Sequence, residues 1–169
     1  AVAIDGFKAD IAGGQLAGRA ELRNNGGDGA VTLQAALTGF DLVQVPAIPG
    51  VAGHADLSLS LAASGRSAEA MAKSASGSGT LALNGVTING IDAGALGAIV
   101  AEAETQGAQI TPQKAETIAR AHALTGSTAF ASTETAFSIA AGIARAENVA
   151  FTASAATLNG DGRLDLSAL

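Results

Sequence analysis

Ala55-Asp56-Leu57-Ser58-Leu59-Ser60-Leu61 is the stretch that decides the fold class. Apolar and polar residues alternate through it without a break, and a β-strand points successive side chains to opposite faces of its sheet. As a strand, the segment shows alanine and leucine on one face and Asp and Ser on the other. The same alternation runs outward in both directions. Towards the N-terminus, Val31, Leu33, Ala35 and Leu37 alternate with Thr32 and Gln34. Leu16, Gly18, Ala20 and Leu22 alternate with Arg19 and Glu21, and Phe7, Ala9 and Ile11 with Lys8 and Asp10. Towards the C-terminus come Leu81 and Leu83, Val86 and Ile88, Phe137 and Ile139, Val149 and Phe151, then Leu164 and Leu166.

Turn clusters separate these runs: Gly13-Gly14, Asn24 to Gly29, Asn84-Gly85, Asn89-Gly90 and Asn159-Gly-Asp-Gly162. Asn-Gly and Asp-Gly pairs supply the positive φ that tight hairpins need, so the pattern predicts about nine to eleven short antiparallel strands in a meander. Pro46 and Pro49 mark a crossing around residues 45–53, which divides a first strand group, 1–45, from a second, 46–91. From Asp92 to Glu104 the period changes: Leu96, Ile99, Val100 and Ala103 fall at helical spacing, with Asp92 placed to cap. Thr111-Pro112 reads as an N-cap followed by proline in the first turn, with Ala115, Ile118 and His122 on one face and Gly126 past the end. A pair of short helices over 92–125 is thus inserted before a third strand group, 126–169.

Composition narrows the function classes. Of 169 residues, 63 are Ala or Gly, so more than a third of the positions carry no side chain beyond a methyl group. A net charge of -6, with Lys and Arg scattered, argues against a nucleic-acid partner, because phosphate contacts need a basic stripe. Trp, Tyr and Cys are absent, which removes aromatic cages, disulfides, thiolate nucleophiles and Cys-ligated zinc. His54 and His122 stand in neither a metalloprotease pattern nor beside a nucleophile elbow. Asn159-Gly-Asp161-Gly-Arg163-Leu-Asp165 lacks the ligand spacing and terminal Glu of a calcium loop and reads as a hairpin. Gly77-Ser-Gly79 precedes a strand, where a dinucleotide site wants a helix, and Glu102 and Glu104 read as a solvated helix face. The residues point to a protein that is not an enzyme, with no cofactor and no metal.

A sheet with one apolar face must bury that face against something, and two short helices are too few to cover ten strands. From pattern alone a second sheet, as in a sandwich or closed barrel, is the favoured cover, ahead of a ligand or neighbouring module lying on an open sheet. Five Phe and no Trp or Tyr fill a two-sheet core poorly.

A family resemblance bears on this choice. Ala55 to Ser67, Gly77 to Asp92, Thr128-Ala-Phe130, Thr135 to Gly142 and Leu158 to Leu166 resemble, in order and spacing, the C-terminal region of the AsmA family of bacterial envelope proteins. The resemblance runs from about Phe7 to the end, and its most specific part is strand, Asn84-Gly85 turn, strand, then Gly90-Ile-Asp92 leading into a helix. It implies a mainly β fold: an antiparallel, strongly twisted meander curled into an open groove, with the helix pair inserted. It also implies a periplasmic location within an inner-membrane-anchored protein, and a role in phospholipid transport and outer-membrane assembly. The alternation still running at the last residues, like the start at Ala1, leads us to expect a piece of a longer chain. Expected partners are phospholipid acyl chains and neighbouring modules of the same chain. The groove candidates are Val31, Leu33, Leu37, Leu57, Leu59, Leu61, Leu81, Leu83, Val86, Ile88, Phe137, Ile139, Val149, Phe151, Leu164 and Leu166. The alternative is a structural sandwich or stacking module that binds no lipid.

Overall fold

In the computed structural model the alternating segments form long strands, and a single antiparallel sheet holds them all. Residues 1–46, 48–107 and 110–168 are described; Ala47, inside the expected 45–53 crossing, Ala108 and Gln109, inside the expected helical insert over 92–125, and Leu169, at the end of the third group, lie outside them. The strands are β1 (Val2–Ile11), β2 (Gly14–Asn25), β3 (Asp28–Asp41), β4 (Val51–Gly65), β5 (Ser76–Asn89), β6 (Ser127–Ala129), β7 (Thr133–Ala140), β8 (Ile143–Thr152) and β9 (Thr157–Asp165). Their order is β1-β2-β3-β4-β5-β7-β8-β9, with β6 on β5 beyond the end of β7. The sheet is open, with β1 and β9 as its edges. Among the described residues no second sheet lies against it, so the sandwich and barrel readings do not hold.

Two turn clusters are not turns. Asn84-Gly85 lies inside β5, where Gly85 at φ 60° forms a bulge against the pairing of Ala52 with Thr87 and His54 with Asn84. A bulge at glycine uses the same positive φ as a hairpin but bends one strand instead of reversing it. Asp56 holds this geometry from the neighbouring strand. Its carboxylate accepts from Asn84 Nδ2 at 3.1 Å and from the backbone N–H of Gly39, at the β3 bulge, at 2.7 Å. Asn159 to Gly162 likewise continues through β9, with Gly162 opposite Ala146 and Gly160 opposite Val149. The real reversals before β9 are at Ala141-Gly142 and in the loop between Thr152 and Thr157.

Three short helices accompany the sheet. Helix α1 (Ala68–Ser74) is absent from the sequence expectations, because seven residues give barely two turns of periodicity. Its signal is nonetheless present: Ser67 caps Ala70 N at 3.1 Å, and Glu69 pairs with Lys73 one turn on at 2.6 Å. It lies over Gly65, where an added Cβ would meet Ala70 Cβ and Met71 N at 2.8 Å. Ser74 Oγ fastens it to β4, donating to the Ser64 carbonyl at 2.6 Å and accepting from Ser64 N at 2.8 Å.

The expected helix pair forms as α2 (Ala95–Gln106) and α3 (Pro112–Ala123). Thr111 caps α3 as its sequence predicts, accepting from Lys114 N at 3.3 Å, and Pro112 opens the helix. Asp92 does not cap α2. Its carboxylate accepts from Gly94 N at 2.8 Å in a turn before the helix, and Gly94 takes the cap position. The inward side of α2 is Ala95, Ile99 and Ala103, while Leu96 and Val100 are exposed. The two helices pack on each other at the end of the sheet where β5 finishes, opposite the end that holds α1. Neither lies along the sheet.

Candidate functional site

Pairing register places the predicted groove residues. In an antiparallel ladder, residues directly opposite each other project to the same face. One row of partners runs Ile4, Ala20, Leu33, Leu61, Gly77, Ile139, Ala144, Leu164 across every strand of the main path. The next runs Phe7, Gly18, Ala35, Leu59, Gly79, Phe137, Ala146, Gly162, and a third sets Leu16, Leu37, Leu57 and Leu81 in line. Val31 faces Ala63, Leu83 faces Ala55 and Ile88 faces Val51 in the same sense. Val149 and Phe151, past the β8 bulge, return to this face opposite Gly160 and Leu158. Val86 joins it after the β5 bulge, since Thr87 between it and Ile88 pairs on the polar side. Leu166 is the exception: it begins a 3-10 turn over Leu166–Ala168, where strand alternation has ended.

The apolar face spans ~34 Å across eight strands, at about 4.8 Å each, and ~50 Å along the 15-residue β4. Its side chains are partly covered by one another and by little else. Leu33, Leu37, Leu57, Leu59, Leu61, Leu81, Leu83 and Phe137 are half-buried, and only Val86 and Ile139 of the predicted set are buried. At the margins Ile4 is 54% and Leu164 51% exposed. Two phenyl rings lie over glycines of the neighbouring strand, Phe7 over Gly18 and Phe137 over Gly79. Phe130 and Phe151 meet edge-on, ring centres 6.2 Å apart, near the β6 end.

Two broad concavities, unanticipated from the sequence, lie on the other face. A depression of ≈ 880 Å³ is bounded by Arg19, Gln34, Ser58, Ser60, Ser78 and Thr80, all of which alternate with the apolar rows. Beside it, one of ≈ 550 Å³ reaches Asp5, Glu21 and Thr32. Arg19 Nε donates to Gln34 Oε1 at 3.0 Å, and the Ser58 and Thr80 hydroxyls hydrogen-bond at 2.8 Å. No imidazole or carboxylate lines the larger depression, so its serines have no adjacent base. Short Ser, Ala and Gly side chains leave the ladder uncovered there, which is why alternation alone gave no sign of it.

Neither histidine lines these depressions. His122 Nε2 meets Glu102 Oε2 at 2.5 Å, tying α3 to α2, so Glu102 is not simply a solvated position. His54 is exposed, opposite Asn84 and Asp41. Among the described residues no three His, Asp or Glu gather in a metal-binding group, and no helix is long and apolar enough to cross a membrane. Comparison with known protein families, with curated proteins and with solved structures finds no match to this chain.

Proposed function

We propose that the chain is a non-enzymatic binding module whose open apolar sheet face receives the acyl chains of phospholipids. The observation that carries this reading is the gathering of Leu33, Leu37, Leu57, Leu59, Leu61 and Leu81 on one half-exposed face, over which no layer of the described residues lies. An apolar patch of that extent is costly in water, and it is characteristic of a surface that something covers. An acyl chain suits it because such a ligand needs area and a continuous apolar floor but no hydrogen-bonding partners. The resemblance to the AsmA family supports the same reading and adds its setting: the periplasmic part of an inner-membrane-anchored protein that serves phospholipid transport and outer-membrane assembly.

The test is lipid retention by the purified chain. Extraction and native mass spectrometry are expected to find phospholipid on the wild type and much less on Leu59→Asp. Leu59 is half-buried in a layer without a lid, so the introduced carboxylate reaches water and the sheet stays folded. Lipid-free wild-type protein would count against acyl-chain binding. Global unfolding of Leu59→Asp would show that the face is packed shut in solution, as the structural-module alternative requires.

A further inference from the structure

We infer that β1 of one molecule pairs edge to edge with β9 of a second copy, continuing the sheet head to tail. Both strands are sheet edges, and an edge presents unpaired N–H and C=O groups that another strand satisfies. Eight strands make up the main path, an even number, so β1 and β9 run antiparallel to each other. Two copies related by translation across the sheet therefore meet as an antiparallel pair, with their apolar faces on the same side.

The charges select a register. On the polar face β1 presents Asp5, Lys8 and Asp10, while β9 presents Asn159, Asp161, Arg163 and Asp165. Setting Arg163 opposite Asp5 brings Asp161 opposite Lys8 and leaves Asp10 opposite the neutral Asn159, because the β1 bulge between Ile4 and Phe7 absorbs the odd residue. Sliding two residues one way opposes Asp5 to Asp165 and Lys8 to Arg163; sliding the other way opposes Asp5 to Asp161. Like charges directly opposite each other are unfavourable, so one register stands out. On the apolar face that same register sets Ile4 against Leu164 and Phe7 against Gly162. Phenyl over cross-strand glycine is the arrangement the molecule already uses at Gly18 and Gly79. The pairing draws on backbone edges and surface charge, so it stands or falls apart from lipid binding.

The chain has no cysteine, which makes introduced thiols clean reporters. Ile4→Cys and Leu164→Cys, prepared separately and mixed under oxidising conditions, are expected to give disulfide-linked dimers holding one of each variant. Cross-linking of either variant only to itself, or no cross-linking at all, would overturn the proposal. So would a disulfide formed within the monomeric double variant, since that would mean closure of one sheet on itself. Sedimentation checks the register: Arg163→Asp is expected to weaken self-association about tenfold, and adding Asp5→Arg to restore it. Failure of the charge swap to restore association, with the fold intact by circular dichroism, would sink the register.

Discussion

Thr128 carries more structure than its place in a three-residue strand suggests. It is 5% exposed, and its hydroxyl both donates to the Ile91 carbonyl at 2.7 Å and accepts from Ala93 N at 2.8 Å. Those two bonds fix the chain as it leaves β5 for the helices. Thr128→Val keeps the shape and removes both, leaving a backbone donor and acceptor without partners. We expect it to cost about 1–3 kcal/mol by denaturant unfolding; a loss below a few tenths would mean that water replaces the hydroxyl. Asp165 is a second local device. Hydrogen bonds from the Ser167 hydroxyl at 2.7 Å and the Ser167 N–H at 2.9 Å hold its carboxyl below the ordinary carboxylate range. A lowered folded pKa makes this contribution present above the unfolded value and lost as pH falls through the folded one. Ser167→Ala is expected to move the Asp165 titration upward in carboxyl-carbon NMR, and an unmoved titration would exclude the hydroxyl as the cause.

At the scale of elements, the strands were legible where side chains alternate in size and polarity. β4 and its neighbours follow directly from Leu57-Ser58-Leu59-Ser60-Leu61 and Val31 to Leu37. Misreading began where one local conformation serves two ends. Positive φ at Gly85 suits a hairpin or a bulge, and the choice rests on Asp56, 28 residues from Asn84 in sequence. Helix α1 is too short to show a period, and on α2 Leu96 and Val100 fall at helical spacing yet are exposed, while the smaller Ala95 is buried. The α2–α3 hairpin is held by Ala95, Ile118, the His122–Glu102 contact and the Thr128 clasp, with no sheet beneath it. Few buried contacts imply a low opening free energy. Amide exchange is therefore expected to be faster throughout α2 than in β3, β4 and β5. Equal protection would indicate that the hairpin docks on another surface in solution.

For the whole molecule, the question is what a single-layer sheet does with its apolar side. Among the described residues no apolar side chain larger than Ile is buried, and the buried set is small: Ala55, Ala75, Val86, Ala95, Ile118 and Ile139. Stability therefore rests on continuous strand pairing and on side chains shielding one another within the face. The Leu59→Asp variant belongs to this scale: forfeiting the half-burial of one leucine is expected to cost about 1–2 kcal/mol, measured by thermal unfolding. A closed core would lose several times more, because it would trap an unpaired charge.

The sequence by itself determined that the chain is mainly β and that Leu, Val, Ile and Phe share one face of each strand as far as Leu164, since period-two alternation is a local property that pairing carries unchanged from strand to strand. Tertiary structure alone decided that among the described residues no second sheet closes over that face, that Gly85 bends a strand instead of reversing it, and that two broad concavities lie among the small polar side chains. Each of these depends on which strands become neighbours. That is set by contacts between residues tens of positions apart, such as Asp56 with Asn84 and Gly39, and no local period encodes them.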